Sequence, residues 1–130
     1  MGYPTNYRYT KQHEWIEANG NGVGRIGITD FAQKQVGDVV FVGLPKVGAT
    51  FQAGEELATI ESTKAVFEVF APVGCEVLEL NTSLESSPEK VNADPQGEAW
   101  FAKVRIVDPN ELSSLMDAAA YEAFCPECQP

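Results

Sequence analysis

Residues 58–70 read Ala58-Thr59-Ile60-Glu61-Ser62-Thr63-Lys64-Ala65-Val66-Phe67-Glu68-Val69-Phe70. Two runs rich in β-branched and aromatic residues flank a short polar break, and this pattern predicts a β-hairpin. Lys64 then lies at or beside the turn, with its side chain pointing away from the sheet into water. An exposed lysine is usually only a solubilising charge, so the hairpin by itself assigns no chemistry to Lys64.

The composition predicts one globular domain and excludes two classes of partner. A chain of 130 residues suits a single core, so we expect one domain over residues 1–130, with residues 125–130 as a mobile tail. The net charge of −10 argues against nucleic acid, because binding to phosphates needs clustered Lys and Arg. No apolar run approaches the ~20 residues that cross a membrane, so no membrane partner is expected.

The N-terminal residues predict a cytoplasmic, bacterial location. Residues 1–6 have neither the apolar core of a signal peptide nor the Arg- and Ser-rich character of a transit peptide. A mitochondrial location would fit only if a transit peptide has been removed. The chain has one histidine, His13, which excludes any metal site or catalytic triad that needs more than one imidazole. No metal is expected.

Turn-separated short strands are predicted before and after the hairpin. Asp30 is the predicted N-cap of a short helix that Gly37 ends, with Gln33 returning the capping bond. The continuous apolar run over residues 39–42 predicts a buried strand. Residues 81–97 are polar with two prolines and predict a surface loop.

The C-terminal third predicts one more strand and two short helices. Residues 100–107 show the cleanest alternation in the sequence, which places Trp100, Ala102, Val104 and Ile106 on one face and Lys103 and Arg105 on the other. A helix start is predicted at residues 108–111, and Tyr121 with Phe124 predicts a second short helix with its own apolar face. Many short strands with few helices favour a small β-sandwich or flattened barrel.

The segment Glu61-Ser62-Thr63-Lys64-Ala65 resembles the lipoyl-attachment hairpin of the glycine cleavage system H protein. Lipoyl domains of 2-oxoacid dehydrogenases usually have Asp-Lys-Ala there, and biotin carriers have Met-Lys-Met. Further landmarks similar to that family occur in order: His13-Glu14-Trp15, Gly27-Ile28-Thr29-Asp30-Phe31-Ala32, Val36-Gly37-Asp38-Val39-Val40, Leu44-Pro45, Val47-Gly48, Pro72, Glu76-Val77, Val91-Asn92 and Trp100. The resemblance covers roughly residues 7–124. It implies a mostly β fold, the lipoyl/biotinyl-type β-sandwich (barrel-sandwich hybrid), with a short early helix and C-terminal helices.

The resemblance implies a carrier and not an enzyme, with no catalytic residue of its own. Lipoic acid would be covalently attached to the ε-amine of Lys64. The arm would take an aminomethyl group from the pyridoxal-phosphate-dependent glycine decarboxylase (P protein) to the aminomethyltransferase (T protein), and electrons to dihydrolipoamide dehydrogenase (L protein). A lipoate ligase or octanoyltransferase would modify Lys64, with Glu61 as a recognition residue.

The resemblance also implies a cleft that shelters the loaded arm. In the family, its polar lining includes the Glu of the His-Glu motif, which is Glu14 here, and the acidic residue just after the hairpin, which is Glu68 here. The small hydroxyl residue that precedes His-Glu in the family is Gln12 in this chain. Gln12 still accepts a hydrogen bond, but its side chain is longer, so the fine geometry of the pocket is expected to differ.

Three alternatives stay open at this stage. An H-like protein could relay lipoyl groups to other enzymes without supporting glycine cleavage. An enzyme or redox protein could use the Cys125-Pro126-Glu127-Cys128 motif, because a CxxC pair can lower a thiol pKa. A purely structural homologue would be indifferent to Lys64→Arg. Survival of Glu14 and Glu68 favours glycine cleavage.

Overall fold

A computed structural model describes residues 3–128 and shows two antiparallel β-sheets packed on each other. The strands are β1 (Arg8–Tyr9), β2 (Glu14–Ala18), β3 (Val23–Ile28), β4 (Val39–Gly43), β5 (Thr50–Phe51), β6 (Glu56–Ser62), β7 (Val66–Phe70), β8 (Cys75–Leu80) and β9 (Ala102–Ile106). The larger sheet has the order β1-β2-β3-β9-β8-β5, and the smaller sheet has the order β4-β6-β7. The predicted β-sandwich is confirmed.

Short helices surround the two sheets. They are α1 (Asp30–Val36), α2 (Ser83–Ser86), α3 (Lys90–Ala93), α4 (Ala118–Phe124) and two 3-10 turns, Pro109–Ser114 and Pro126–Cys128. The early helix and the C-terminal helices therefore lie where the sequence predicts them. The segment predicted to be a mobile tail, residues 125–130, begins with the buried Cys125, and its last two residues lie outside the described range.

Buried side chains form two separate clusters. The main core joins the facing sides of both sheets, where Ile26, Val42, Ile60, Val69 and Val104 are at most 1% exposed. The second cluster, which we call the aromatic cluster, consists of Tyr3, Tyr7, Tyr9, Trp15, Ala118, Tyr121 and Cys125. It attaches α4 to the outer end of the larger sheet, because β1, β2 and α4 all contribute side chains to it.

The predicted hairpin at residues 58–70 is confirmed. Strands β6 and β7 pair in antiparallel register, with Glu61 opposite Val66. The Ser62 amide donates to the Ala65 carbonyl at 2.9 Å, and the Ser62 hydroxyl accepts from the Lys64 amide at 3.1 Å. A serine hydroxyl that bonds the backbone two residues on stabilises a tight turn without glycine. Lys64 is exposed at this turn.

The predicted N-cap of α1 is wrong by one residue. Thr29 is the cap, with an extended backbone and a hydroxyl that accepts from the Ala32 amide at 3.2 Å. Asp30 is already in the first helical turn and accepts from Gln33 Nε2 at 3.0 Å. A side chain can cap only from a residue whose own backbone is outside the helix, and Thr29 meets that condition.

The strand predicted at residues 39–42 is confirmed, but its predicted burial holds for only two of the four residues. Val40 is 55% exposed and Phe41 is 48% exposed, whereas Val39 and Val42 are buried. Strand β4 is an edge strand, and its register shifts between Val39 and Phe41. A bulge inserts an extra residue and breaks the alternation, so two neighbouring apolar side chains lie outside the core.

Residues 81–97 are not simply a surface loop. They contain α2 and α3, and Leu84 and Val91 are fully buried in the main core. Each short helix packs on the core through one buried apolar side chain. A single apolar residue gives no periodic pattern in the sequence.

The C-terminal predictions are partly confirmed. Ala102, Val104 and Ile106 are buried on one face of β9 as expected, but Trp100 precedes the strand and packs against the aromatic cluster. Asp108 caps the following helix by accepting from the Asn110 amide at 3.0 Å, and that helix is a 3-10 turn. On α4 Ala118 and Tyr121 are buried, while Phe124 is 45% exposed.

Truncation of Leu84 tests whether residues 81–97 belong to the core. We expect Leu84→Ala to lower the free energy of unfolding by about 2–5 kcal/mol, because it removes a fully buried side chain and leaves a cavity. Leu78→Ala is the matched control, since Leu78 is 41% exposed and should cost far less. Urea denaturation of both variants makes the comparison, and equal losses would contradict the structural role of α2.

Candidate functional site

The Lys64 side chain extends from the hairpin turn over the end of α1. The turn residues are exposed, but the aliphatic part of the Lys64 side chain lies beside Gly37. A Cβ atom at Gly37 would lie 3.5 Å from Lys64 Cε and 3.6 Å from Lys64 Cδ. Gly37 also has φ 84°, a left-handed conformation that favours glycine at a helix end. Gly37 therefore ends α1 and leaves space for the lysine stem.

The hairpin turn is anchored to the α1–β4 connection. The Thr63 amide donates to the Asp38 carbonyl at 3.1 Å. Asn92 on α3 holds that connection from the other side: its Oδ1 accepts from the Val39 amide at 2.9 Å, and its Nδ2 donates to the Gly37 carbonyl at 2.8 Å. The same Nδ2 also donates to Gln33 Oε1 at 3.0 Å. Asn92 thus fixes the surface on which Lys64 is presented.

We expect Asn92→Ala to loosen the hairpin turn without unfolding the protein. Removal of the amide frees the Gly37–Val39 connection and with it the Thr63 anchor, so the turn samples more conformations. Loss of even one net hydrogen bond of about 1 kcal/mol predicts roughly fivefold or faster hydrogen exchange at the Thr63 amide. Asn110→Ala is the control, because its side chain lies in the 3-10 turn Pro109–Ser114, far along the chain from the hairpin. Equal exchange at the Thr63 amide in both variants would contradict the anchoring role.

The three residues expected to line a cleft meet at one cavity. Gln12, Glu14 and Glu68 all line a cavity of about 160 Å³ between the β1–β2 turn, α1 and the free edge of β7. Apolar side chains form much of its remaining wall, among them Ile60 and Phe67. Gln12 and Glu68 are exposed at the rim, whereas Glu14 is 2% exposed. Glu61 does not line this cavity; it lies exposed on β6 between Phe41 and Val66.

Both oxygens of the Glu14 carboxyl group are held by protein donors. Oε1 accepts from the Thr10 hydroxyl at 2.6 Å, and Oε2 accepts from the Phe70 amide on β7 at 3.1 Å. Burial raises the pKa of Glu14, while the hydrogen bonds from Thr10 and Phe70 act in the opposite direction. The side chain is thus fixed in orientation, with lone pairs remaining for a further donor.

Thr10 and the Phe70 amide were not predicted to belong to the site. Thr10 donates to Glu14 through its hydroxyl and accepts from the Glu14 amide at 3.1 Å, so it fixes both ends of the residue. Phe70 is 56 positions away in the sequence and belongs to the other sheet. No spacing rule links these positions, because the contacts arise only when the two sheets pack.

The arrangement suits a flexible arm with an apolar body and a cationic end. An exposed lysine offers an amine at the turn, apolar side chains form much of the cavity wall, and Glu14 and Glu68 place two carboxyl groups in its lining. Among residues 3–128, no group of three or more His, Cys, Asp or Glu side chains could hold a metal ion. Within the same range, none of the helices has the length and apolar character that crossing a membrane requires.

Comparisons with known proteins agree on one family. The family model described as "Glycine cleavage H-protein" matches residues 7–128. A glycine cleavage system H protein of Symbiobacterium thermophilum is 50% identical over 124 residues, which cover 95% of this chain and 96% of the relative. One from Phenylobacterium zucineum is 54% identical over 117 residues, covering 90% of this chain and 96% of the relative. The crystal structure of a glycine cleavage system H protein from Mycobacterium marinum superposes with a TM-score of 0.84 at 37% identity, covering 92% of this chain and 96% of that one.

Proposed function

Because the chain belongs to the glycine cleavage H-protein family, we propose that it is the lipoylated carrier of the glycine cleavage system. The observation that carries the proposal is an exposed lysine on an anchored turn, close in the fold to the β7 edge that borders a cavity containing a buried carboxyl group. The protein is a tethered substrate of its partner enzymes and not itself a catalyst.

Lys64 is the attachment residue. Its ε-amine is the nucleophile for acylation, its stem has room beside Gly37, and its turn is exposed to an incoming enzyme. When attached, the lipoyl group supplies a dithiolane that accepts the one-carbon unit and electrons. The site fits such an arm because the three atoms nearest to a Cβ at Gly37 all belong to the Lys64 side chain itself.

The cavity residues hold the aminomethyl cargo. Its amine is cationic near neutral pH and needs an acceptor, which Glu14 supplies inside the cavity and Glu68 supplies at the rim. Gln12 contributes a carbonyl oxygen at the rim. The apolar wall keeps water from the cargo and strengthens the ion pair, because electrostatic attraction increases when water is excluded.

The partners are the glycine decarboxylase (P protein), the aminomethyltransferase (T protein), dihydrolipoamide dehydrogenase (L protein) and a lipoate ligase or octanoyltransferase. A net charge of −10 suits transient docking to basic surfaces on these enzymes. Tethering supplies each partner with an effective substrate concentration of ~mM without tight binding. Glu61 lies exposed one strand position from the turn and is placed for contact with the modifying enzyme.

Reconstitution tests the function directly. The protein is treated with lipoate ligase, lipoate and ATP, modification is mapped by peptide mass spectrometry, and the product is added to the P, T and L proteins with glycine, tetrahydrofolate and NAD. We expect NADH formation that depends on the modified protein and is absent with the unmodified one. Turnover that does not depend on modification would overturn the proposal.

The alternative role, relay of lipoyl groups to other enzymes, requires fewer features of the site. A relay needs an accessible lysine but no shielded acidic cavity. The buried, hydrogen-bonded Glu14 therefore favours glycine cleavage. If the modified protein donates lipoyl groups efficiently but supports no NADH formation in the same assay, the relay role is the correct one.

A further inference from the structure

The hydroxyl group of Tyr121 bonds two residues that belong to different walls of the cavity. The Tyr121 hydroxyl lies 2.6 Å from Nδ1 of His13 and 2.8 Å from the Thr29 hydroxyl. Tyr121 is fully buried on α4, in the aromatic cluster and not in the cavity itself. Its partners belong to two different elements, the β1–β2 turn and the start of α1.

The first wall depends on the backbone conformation of His13. This residue has φ 71°, a left-handed conformation that residues with a Cβ rarely adopt, and it is the one such residue among 3–128 apart from glycines. The His13 amide donates to the Thr10 carbonyl at 3.1 Å, which closes the turn. Gln12 and Glu14, which flank His13, both line the cavity. The conformation of His13 therefore sets the directions in which these two side chains point.

The second wall depends on Thr29. Thr29 is the N-cap of α1, and that helix contributes Ala32 and Val36 to the cavity wall. The Thr29 amide also donates to the His13 carbonyl at 2.9 Å. The two walls are thus joined twice, once through this backbone bond and once through the Tyr121 hydroxyl.

We propose that Tyr121 is a positioning residue for cargo retention, and that α4 acts through it to hold the cavity closed. The Tyr121 hydroxyl stabilises the left-handed His13 against relaxation and keeps the turn at a fixed distance from α1. Without it the turn relaxes, Glu14 leaves its orientation, and water reaches the cargo. This inference rests on the proposed carrier function.

The test compares two tyrosine-to-phenylalanine variants in the lipoylated protein loaded with the aminomethyl group. Tyr121→Phe removes the bridging hydroxyl and keeps the ring. Tyr7→Phe is the matched control, because its hydroxyl donates to the Gln96 carbonyl at 2.7 Å in the same aromatic cluster and contacts neither wall. Tyr121→Phe loses two hydrogen bonds and Tyr7→Phe loses one, but only Tyr121→Phe loses bonds to His13 and Thr29. A general loosening of the aromatic cluster would therefore affect both variants, whereas an effect confined to Tyr121→Phe points to the bridge.

We expect Tyr121→Phe to release ammonia at least about fivefold faster than the wild type, the factor that corresponds to one net hydrogen bond of about 1 kcal/mol out of the two that are lost. Tyr7→Phe should release it at the wild-type rate. Amide hydrogen exchange provides a second readout: the His13 and Thr29 amides should exchange faster in Tyr121→Phe and not in Tyr7→Phe. Equal release rates in the two variants, or unchanged exchange at both amides, would overturn the inference.

Two further results keep this test separate from that of the carrier function. If the wild type cannot be lipoylated or loaded, the proposed function fails; if it loads and Tyr121→Phe behaves like it, only the present inference fails. Should Tyr121→Phe not fold, Thr29→Val removes the bridge from the other side. We expect Thr29→Val to release ammonia at least fivefold faster, and a wild-type rate would overturn the inference.

Discussion

Lys64→Arg is expected to abolish lipoylation and all glycine cleavage that depends on this protein. Arginine keeps the positive charge and nearly the length of lysine, but its guanidinium is always protonated and offers no amine to acylate. Because Lys64 is exposed and makes no ion pair among those found in residues 3–128, the fold should be unaffected. Intact-mass analysis after ligase treatment and NADH formation in the reconstituted system measure the two losses.

The control for this variant is Lys46→Arg. Lys46 is also exposed, but it lies in the loop before β5 and away from the hairpin. The Lys46→Arg variant should be lipoylated at Lys64 and should support turnover like the wild type. Lys46→Arg and Lys64→Arg should both unfold thermally like the wild type. Substantial NADH formation with Lys64→Arg would refute the carrier function.

Glu14→Gln is expected to accelerate ammonia release from the loaded protein by about 10- to 100-fold. Hydrogen bonds to charged groups contribute about 1.5–3 kcal/mol, and the neutral amide loses the attraction between a carboxylate and the cationic cargo. Glutamine also cannot accept from both Thr10 and the Phe70 amide, so the free energy of unfolding should fall by about 1–3 kcal/mol. Lipoylation of Lys64 should be normal, because the hairpin turn is anchored elsewhere.

Glu79→Gln is the matched control for charge. It removes one negative charge from β8, where Glu79 is exposed and pairs with Lys103. An unchanged decay rate for Glu14→Gln, or equal acceleration in Glu79→Gln, would remove Glu14 from the shielding role. The comparison therefore separates a local contact with the cargo from the general effect of the acidic surface.

The raised pKa of Glu14 makes a further prediction for the same variant. A carboxyl group whose pKa is higher in the folded state stabilises the fold at pH values below its unfolded pKa, and this contribution is lost as the pH rises through the folded pKa. Between the unfolded and the folded pKa of Glu14, the free energy of unfolding should therefore decrease less with rising pH in Glu14→Gln than in the wild type. Urea denaturation between pH 4 and pH 7, run on wild type and variant, measures the difference, and parallel profiles would contradict the direction assigned to the Glu14 pKa.

Local patterns in the sequence predicted the hairpin, the exposure of Lys64 and the sandwich architecture correctly. These features depend on residues close together in the chain. Alternation within residues 100–107 indicated the buried face of β9, and the polar break between β6 and β7 requires a turn. The resemblance of the Lys64 motif then indicated the family, which the comparisons confirmed.

The errors occurred where neighbours in space override local pattern. Val40 and Phe41 look like core residues, but β4 is an edge strand with a bulge that leaves them exposed. Leu84 and Val91 look like isolated apolar residues in a polar segment, but α2 and α3 place them in the main core. In each case burial depends on which element packs against the segment, and the segment itself does not encode that.

The candidate site also has features that the sequence predicts and features that only the folded structure shows. The sequence by itself determined which lysine is presented and, through the family motif, named Gln12, Glu14 and Glu68 as its companions. Only the tertiary structure decided how Glu14 is held, because its partners come from β7, in the other sheet, and from Thr10 across a tight turn. It also brought the Tyr121 hydroxyl to within hydrogen-bonding distance of His13, which lies 108 positions earlier. Such contacts form when distant segments pack, and a side chain that acts through a partner so far along the chain leaves no spacing pattern by which the sequence could reveal it.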